Sequence, residues 1–316
     1  MLWARELIAR NAPVRVRPTR SPSELLSNRV TGAYLGLAIG DALGATVEFL
    51  TPNEIRHQIG VHREITGGGW LRLKAGQVTD DTTMSLALGT SILTHGRVDA
   101  KAAAEAFDAW MRAKPVDIGN TVRRNLIQFR KTGNPEAPAS EHDAGNGAAM
   151  RLLPVALACY GQPPETTIFS SRAQAHVTHN NTLSDAACET LIMMVHDLLA
   201  GHEPITIERE RAAALVHKHP VFAYEKKRCD NPSGYIVDTI QAVFQSFFAT
   251  DTFEDCLTDV VNRGGDADTT GAIAGMLAGA RYGQQAIPGR WLKAVDENIS
   301  KKCTDQALAL FALTKQ

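Results

Sequence analysis

Apolar residues recur every three to four positions over much of the chain, and no segment shows the strict alternation of a half-buried strand. The pattern predicts an all-α fold. The first predicted helix covers Gly32–Gly44, where glycines at 32, 36, 40 and 44 line one face and point to close helix packing in a core. Another opens after Thr79-Asp80-Asp81-Thr82-Thr83 and continues as Met84-Ser85-Leu86-Ala87-Leu88-Gly89. Ala103, Phe107, Trp110 and Met111 give helical spacing over 99–113, which Lys114-Pro115 breaks. Further helices are predicted from about Thr121, over Leu152–Ala158, over 185–199 behind a Ser184-Asp185 cap, over 205–215 and over 235–249. Ala272–Ala280 is small and apolar on every side and reads as a buried helix.

Two stretches are rich in turn residues: 61–78, with Thr66-Gly67-Gly68-Gly69-Trp70, and 131–142. Residues 1–28 differ from the rest. Arg5, Arg10, Arg15, Arg17 and Arg20 dominate them, with Pro13, Pro18 and Pro22 as breakers and no apolar core of a secretion signal. They are expected to be a disordered extension, with one globular domain over 29–316.

Composition narrows the classes. The chain has 316 residues, 44% of them hydrophobic, enough for a sizeable core. A net charge of −1 gives no global field for nucleic acid or acidic lipid. The cysteines, five and unpatterned, suit a reducing cytosol, so a cytoplasmic location is expected. No apolar run approaches the ~18 residues of a membrane span.

Candidate chemistry lies at two helix starts. Thr79-Asp80-Asp81-Thr82-Thr83 and Asp266-Ala267-Asp268-Thr269-Thr270 each put two acids ahead of a small-residue helix. A single acid there is explained by N-capping and the helix dipole. Four acids exceed what two helix starts need. Their oxygens, with nearby threonine hydroxyls, suit hard cations such as Mg²⁺ or Mn²⁺, and the lack of Cys or His in either cluster argues against zinc.

Other candidates are weaker alone. Glu48 lies seven residues after Asp41, two helical turns on if the helix continues, and reads as a solvated end or a site acid. Asp117 reads as a loop or capping acid. Gly145-Asn146-Gly147-Ala148-Ala149-Met150-Arg151 precedes a helix, where small residues let backbone N–H groups approach a phosphate. His176 and His179 could touch ligand or simply hydrogen-bond within their loop.

Taken together, Gly40-Asp41-Ala42-Leu43-Gly44 through Glu48, Thr79-Asp80-Asp81-Thr82, Gly145–Arg151 and Gly264-Gly265-Asp266-Ala267-Asp268-Thr269 resemble the ADP-ribosylglycohydrolase family over about residues 30–285. Thr66–Lys74 and Pro115–Thr121 are similar to the branch of that family found in nitrogen-fixing bacteria. The resemblance implies an all-α, single-domain fold with a binuclear Mn²⁺ or Mg²⁺ site. It implies Thr79, Asp80, Asp81, Asp266, Asp268 and Thr269 as metal ligands, with Glu48 beside the metals and Asp81 both ligand and catalytic group. Gly145, Asn146, Gly147, Ala148, Met150, His176 and His179 would hold ADP-ribose. The implied reaction is hydrolysis of the N-glycosidic bond between ADP-ribose and an arginine side chain. The implied substrate is the ADP-ribosylated iron protein of nitrogenase, dinitrogenase reductase, which would be reactivated. Control through a PII signalling protein and peripheral recruitment to the membrane through partners are implied by the same branch.

That reaction fits these residue types. Cleaving a ribosyl–guanidinium bond builds positive character on the ribose, and the departing nitrogen needs a proton. Two bound cations would orient the sugar and acidify a water. Asp117 could pair with the guanidinium, and the sequence leaves open whether Glu48 or Asp117 moves the proton. Three rivals stand beside this reading: a two-metal phosphoesterase acting on the diphosphate, a non-catalytic ADP-ribose-binding regulatory protein, and a hydrolase of another ADP-ribosyl bond such as that to serine.

Overall fold

The computed structural model describes residues 21–315. The expected arginine-rich extension lies, up to Arg20, outside the described residues. The longer helices are α1 (Pro22–Gly44), α2 (Asp80–His95), α3 (Ala100–Arg112), α4 (Asn120–Thr132), α5 (Pro164–Ala175), α6 (Thr182–Ala200), α7 (Ile236–Ala249), α8 (Phe253–Val261), α9 (Ala267–Tyr282) and α10 (Glu297–Ala312). Among the described residues there is no strand; Gly68 with Leu73 and Gly145 with Tyr235 form isolated bridges. The all-α expectation holds.

α1 starts earlier than the sequence suggested. Ser21 caps it: the Ser21 Oγ accepts from Glu24 N at 3.3 Å, and the Glu24 carboxylate accepts from Ser21 N at 2.8 Å. Residues 22–28 are therefore the first turns of a domain helix, not part of an extension.

The core is built on α1 and α9, which pack antiparallel through their glycines. A Cβ added to Gly36 would lie 2.1 Å from Gly275 O, to Gly40 1.9 Å from Gly271 O, and to Gly44 2.1 Å from Ala267 O. The reverse holds too, with Gly279 facing Gly32 O at 2.0 Å. Only glycine allows two helix backbones this close. The register has a consequence for chemistry. It sets the C-terminal end of α1, with Asp41, against the N-terminal end of α9, with Asp266 and Asp268. α7 and α8 cover the rest of α9, while α10 packs on α1 and α2.

Several elements departed from the sequence reading. α1 stops at Gly44, so Glu48 sits in the turns after it and not on its face. Asn181 caps α6, accepting from Leu183 N and Ser184 N, in place of Ser184-Asp185. The 205–215 helix is broken into Pro204–Ile207, a π-turn at Glu208–Ala212, and Ala213–Lys218. α5, α8 and α10 were not anticipated; each mixes threonine, serine or charge into its apolar stripe, which blurs the period.

Candidate active site

Asp41 organises the first acid cluster. It lies on α1, fully buried, and accepts from four donors at the start of α2. These are Thr79 N at 2.9 Å, Thr79 Oγ1 at 3.0 Å, Thr82 N at 3.1 Å and Thr82 Oγ1 at 2.5 Å. It thus does for α2 what an N-cap residue does, from a neighbouring helix. Asp80 and Asp81 are released from capping. The sequence reading did not single out Asp41 as a site residue. The signals were its place in the Gly40–Gly44 motif and a carboxylate on a helix whose glycine spacing demanded burial.

The second cluster follows a tight turn. Gly264 and Gly265 take positive φ angles of 68° and 64° and press against Leu50 O and Pro232 O. Backbone bonds clamp the turn: Gly265 N to Leu50 O at 2.9 Å, Phe49 N to Gly265 O at 2.7 Å, and Asp266 N to Pro232 O at 2.8 Å. Asn146 Nδ2 donates to Asp266 Oδ2 at 2.5 Å and to Thr239 Oγ1 at 2.9 Å. The Gly145–Arg151 loop is thereby tied to the acid cluster.

The two helix starts meet. Carboxylate oxygens of Asp80, Asp81 and Asp268 lie within 4.8 Å of one another, as do those of Glu48, Asp266 and Asp268. Asp268 is common to both groups. Thr79 Oγ1 lies 3.1 Å from Asp81 Oδ2 and 3.4 Å from Asp268 Oδ2. Thr269 is buried beside them. All six residues expected as ligands are thus brought to one place, with Glu48.

The electrostatics of this cluster are unfavourable as it stands. Burial, then mutual repulsion, pushes the Asp80 carboxyl up to about 7, and burial against the opposing Trp70 hydrogen bond pushes Glu48 up to about 8. Asp81 and Asp268 are driven well above the usual carboxylate range by burial and by each other, and burial raises Asp266. Asp81 Oδ1 is buried with no hydrogen-bond partner among the described residues. A buried, unpaired carboxylate oxygen is costly. Hard oxygen donors crowded around such an atom fit divalent cations, which would satisfy it and offset the repulsion.

Glu48 sits at the edge of the cluster. Trp70 Nε1 donates to its Oε2 at 2.6 Å, a contact that the sequence did not foretell. Asp117 is half-buried, accepts from Ile118 N at 2.7 Å, and is close enough to raise the carboxyl groups of Glu48, Asp80 and Asp266. A groove of about 630 Å³ runs past Val78, Thr83, Trp110 and Val116 on the outer side of α2. Its lining includes none of the clustered acids.

The Gly145–Arg151 loop is held from below. Arg151 is fully buried with no carboxylate ion pair among the described residues; it donates to Gln174 Oε1 at 2.9 Å, Gln174 O at 3.1 Å and Thr178 Oγ1 at 2.7 Å. Its guanidinium lies 4.2 Å from the centre of the Phe107 ring, and burial pushes its pKa down to about 9. The N–H groups of Gly147 and Ala148 find no acceptor among the described residues. His179 is the floor of the loop. A Cβ on Gly145 or Gly147 would lie 2.9 Å or 2.7 Å from its ring. Burial, then the charges of Arg151 and Arg124, lowers its pKa to about 3, so it is neutral. Two expected substrate contacts are placed elsewhere. His176 lies 2.9 Å from Asp185 Oδ2 and 3.5 Å from Glu136, an ion-pair cluster at the end of α5. The Met150 side chain is packed in the core.

Known proteins share this architecture. A family model described as ADP-ribosylglycohydrolase matches residues 22–316. An ADP-ribosyl-[dinitrogen reductase] glycohydrolase of Rhodospirillum rubrum is 54% identical over 286 residues, covering 90% of this chain and 96% of that protein. An ADP-ribosylarginine hydrolase Tri1 of Serratia proteamaculans is 34% identical, covering 87% of this chain and 77% of the relative. A solved ADP-ribosylglycohydrolase-related protein complex superposes with a TM-score of 0.81 at 36% identity, over 92% of this chain and 99% of that one. With its acid-bearing helix starts, its all-α fold and this likeness running the length of the described residues, the chain belongs to the ADP-ribosylglycohydrolase family.

Proposed function

We propose that the chain is a metal-dependent hydrolase that removes ADP-ribose from an arginine side chain of a modified protein. Dinitrogenase reductase is the proposed substrate, which release of the group would reactivate. The observation that carries the reading is the meeting of two carboxylate groups, Asp80–Asp81–Asp268 and Glu48–Asp266–Asp268, at the shared Asp268, with Asp81 Oδ1 buried and unpartnered among the described residues. The names of the relatives from Rhodospirillum rubrum and Serratia proteamaculans support the bond and the acceptor.

Thr79, Asp80, Asp81, Asp266, Asp268 and Thr269 would hold two Mn²⁺ or Mg²⁺ ions. Such ions supply Lewis acidity and a water of lowered pKa. The rest is the work of the chain. The N–H groups of Gly147 and Ala148 receive the diphosphate, on a loop fixed by Arg151, His179 and the Asn146–Asp266 bond. Asp117, half-exposed at the edge, pairs with the guanidinium. Glu48, with Oε2 held by Trp70, carries the proton that the leaving nitrogen needs. We place the protein in the cytoplasm, with a PII signalling protein as regulator. No described helix is long and apolar enough to cross a membrane.

The test uses metal-stripped protein, then Mn²⁺, with an arginine-ADP-ribosylated protein as substrate and mass spectrometry of the small product. Free ADP-ribose that appears only with metal is the expected result. AMP would make the protein a phosphoesterase. No product, with tight ADP-ribose binding, would make it a binding protein.

A further inference from the structure

Next to Glu48 the fold holds a bulky residue in an unusual conformation. Phe49 adopts a φ of 64°, a left-handed conformation open to glycine but strained for a bulky residue. Its N–H is pinned to Gly265 O at 2.7 Å, so the turn that delivers Asp266 also imposes the strain. The result is outward display: the Phe49 side chain is 61% exposed. Its ring lies 5.3 Å from that of Trp70, which is itself 52% exposed. The same Trp70 donates to Glu48. Two large aromatic groups are therefore presented to solvent in contact with an edge of the acid cluster. The turn explains the backbone but not the choice of a large aromatic at an exposed, strained position beside a site, and aromatic residues are enriched among those that anchor protein contacts.

We propose that the Phe49–Trp70 pair is the docking surface for the acceptor polypeptide around the modified arginine. The proposal rests on the reading of the site as an arginine-ADP-ribose hydrolase. The choice of occupant follows from the chemistry of that substrate. The scissile bond joins ribose to guanidinium, and it must lie at the acid cluster. Groups that touch Glu48 are then at the acceptor side of the bond, whereas the adenine lies beyond the diphosphate and a second ribose. An arginine brings its own chain with it, and apolar side chains flanking it would cover this pair.

The experiment compares two substrates, an arginine-ADP-ribosylated protein and free ADP-ribosylarginine, for the metal-loaded wild type, Phe49→Asn and Phe49→Tyr. Asparagine tolerates the left-handed backbone, so the turn is kept. Phe49→Asn should lower kcat/KM on the protein substrate about fivefold or more through KM, the cost of a lost anchor, with a change within about twofold on the free compound. Phe49→Tyr should restore the protein reaction. Equal losses on both substrates would overturn the proposal in favour of a contact to the nucleotide. No loss on either would overturn it as well. If wild type releases no ADP-ribose even from the free compound, the hydrolase reading itself has failed, and the docking surface fails with it.

Discussion

The two acid-bearing helix starts read almost alike in sequence but are held in different ways. At the start of α2, one buried side chain, Asp41, takes four donors and leaves Asp80 and Asp81 to face the site. At the start of α9, backbone bonds from Leu50, Phe49 and Pro232 clamp the Gly264-Gly265 turn, and Asn146 adds a neutral amide. The first arrangement concentrates its support in a single charged group. The second spreads it over the main chain. Removal of one side chain should therefore damage the two starts unequally, even though both carry proposed ligands.

The largest effect is expected where the two starts converge. Asp268 belongs to both carboxylate groups. Asp268→Ala should abolish measurable turnover and weaken Mn²⁺ binding by more than the roughly 10–100-fold seen when supporting residues are lost. The chain should stay folded, because removing one of several repelling buried acids relieves the apo protein. Mn²⁺ titration with a parallel thermal melt would check this, and full activity in the variant would remove the metal assignment. Asp41→Ala comes next. It strips the acceptor from the Thr79 and Thr82 backbone N–H groups and from the Thr82 hydroxyl, which then lack a partner, at a cost of about 1–3 kcal/mol. Denaturant unfolding of the metal-free protein should register that loss, and turnover should fall with it. Asn146→Ala is expected to be milder on stability, since the α9 turn keeps its backbone clamps. Activity should still fall on the order of tenfold as Asp266 and the Gly145–Arg151 loop come untied. Equal destabilisation by Asp41→Ala and Asn146→Ala would break the comparison.

How much of this was legible beforehand follows from the same contrast. Local features were readable. The glycine spacing of α1 announced a close helix partner, and the paired acids announced two helix starts. What the sequence could not say was that Gly36 meets Gly275 and Gly40 meets Gly271, the register that joins the two clusters. Family resemblance supplied that convergence; periodicity alone did not. Contacts between distant segments also stayed hidden. Asp41 acts across 38 residues on Thr79, and Trp70 acts across 22 on Glu48. His179 was open to two readings, a ligand contact or a hydrogen bond within its loop; the fold adds that it is buried and neutral, the floor on which the glycine loop rests. His176 was drawn toward Asp185 by simple charge pairing.

The smallest expected effect concerns protons, and it separates the two starts once more. In the metal-free protein, burial lifts Asp41 to about 6, Asp80 to about 7 and Glu48 to about 8, all above their unfolded values near 4. The native state then binds more protons than the unfolded state between those limits. The sign follows: stability is fully present below about pH 4 for these groups and is lost as pH rises through the folded values. Metal-free protein should melt at lower temperature at pH 8 than at pH 5.5, and saturating Mn²⁺ should flatten that trend by replacing the protons. Asp41→Asn removes a titrating group from behind α2 while keeping an acceptor there, so its slope should be shallower than that of wild type. Asn146→Ala, with no ionisable group lost, should keep the wild-type slope. Melting curves of the three proteins, with and without Mn²⁺, would show whether charge supports one start alone; parallel slopes for all three would mean that the proton load resides in the shared acids and not in Asp41.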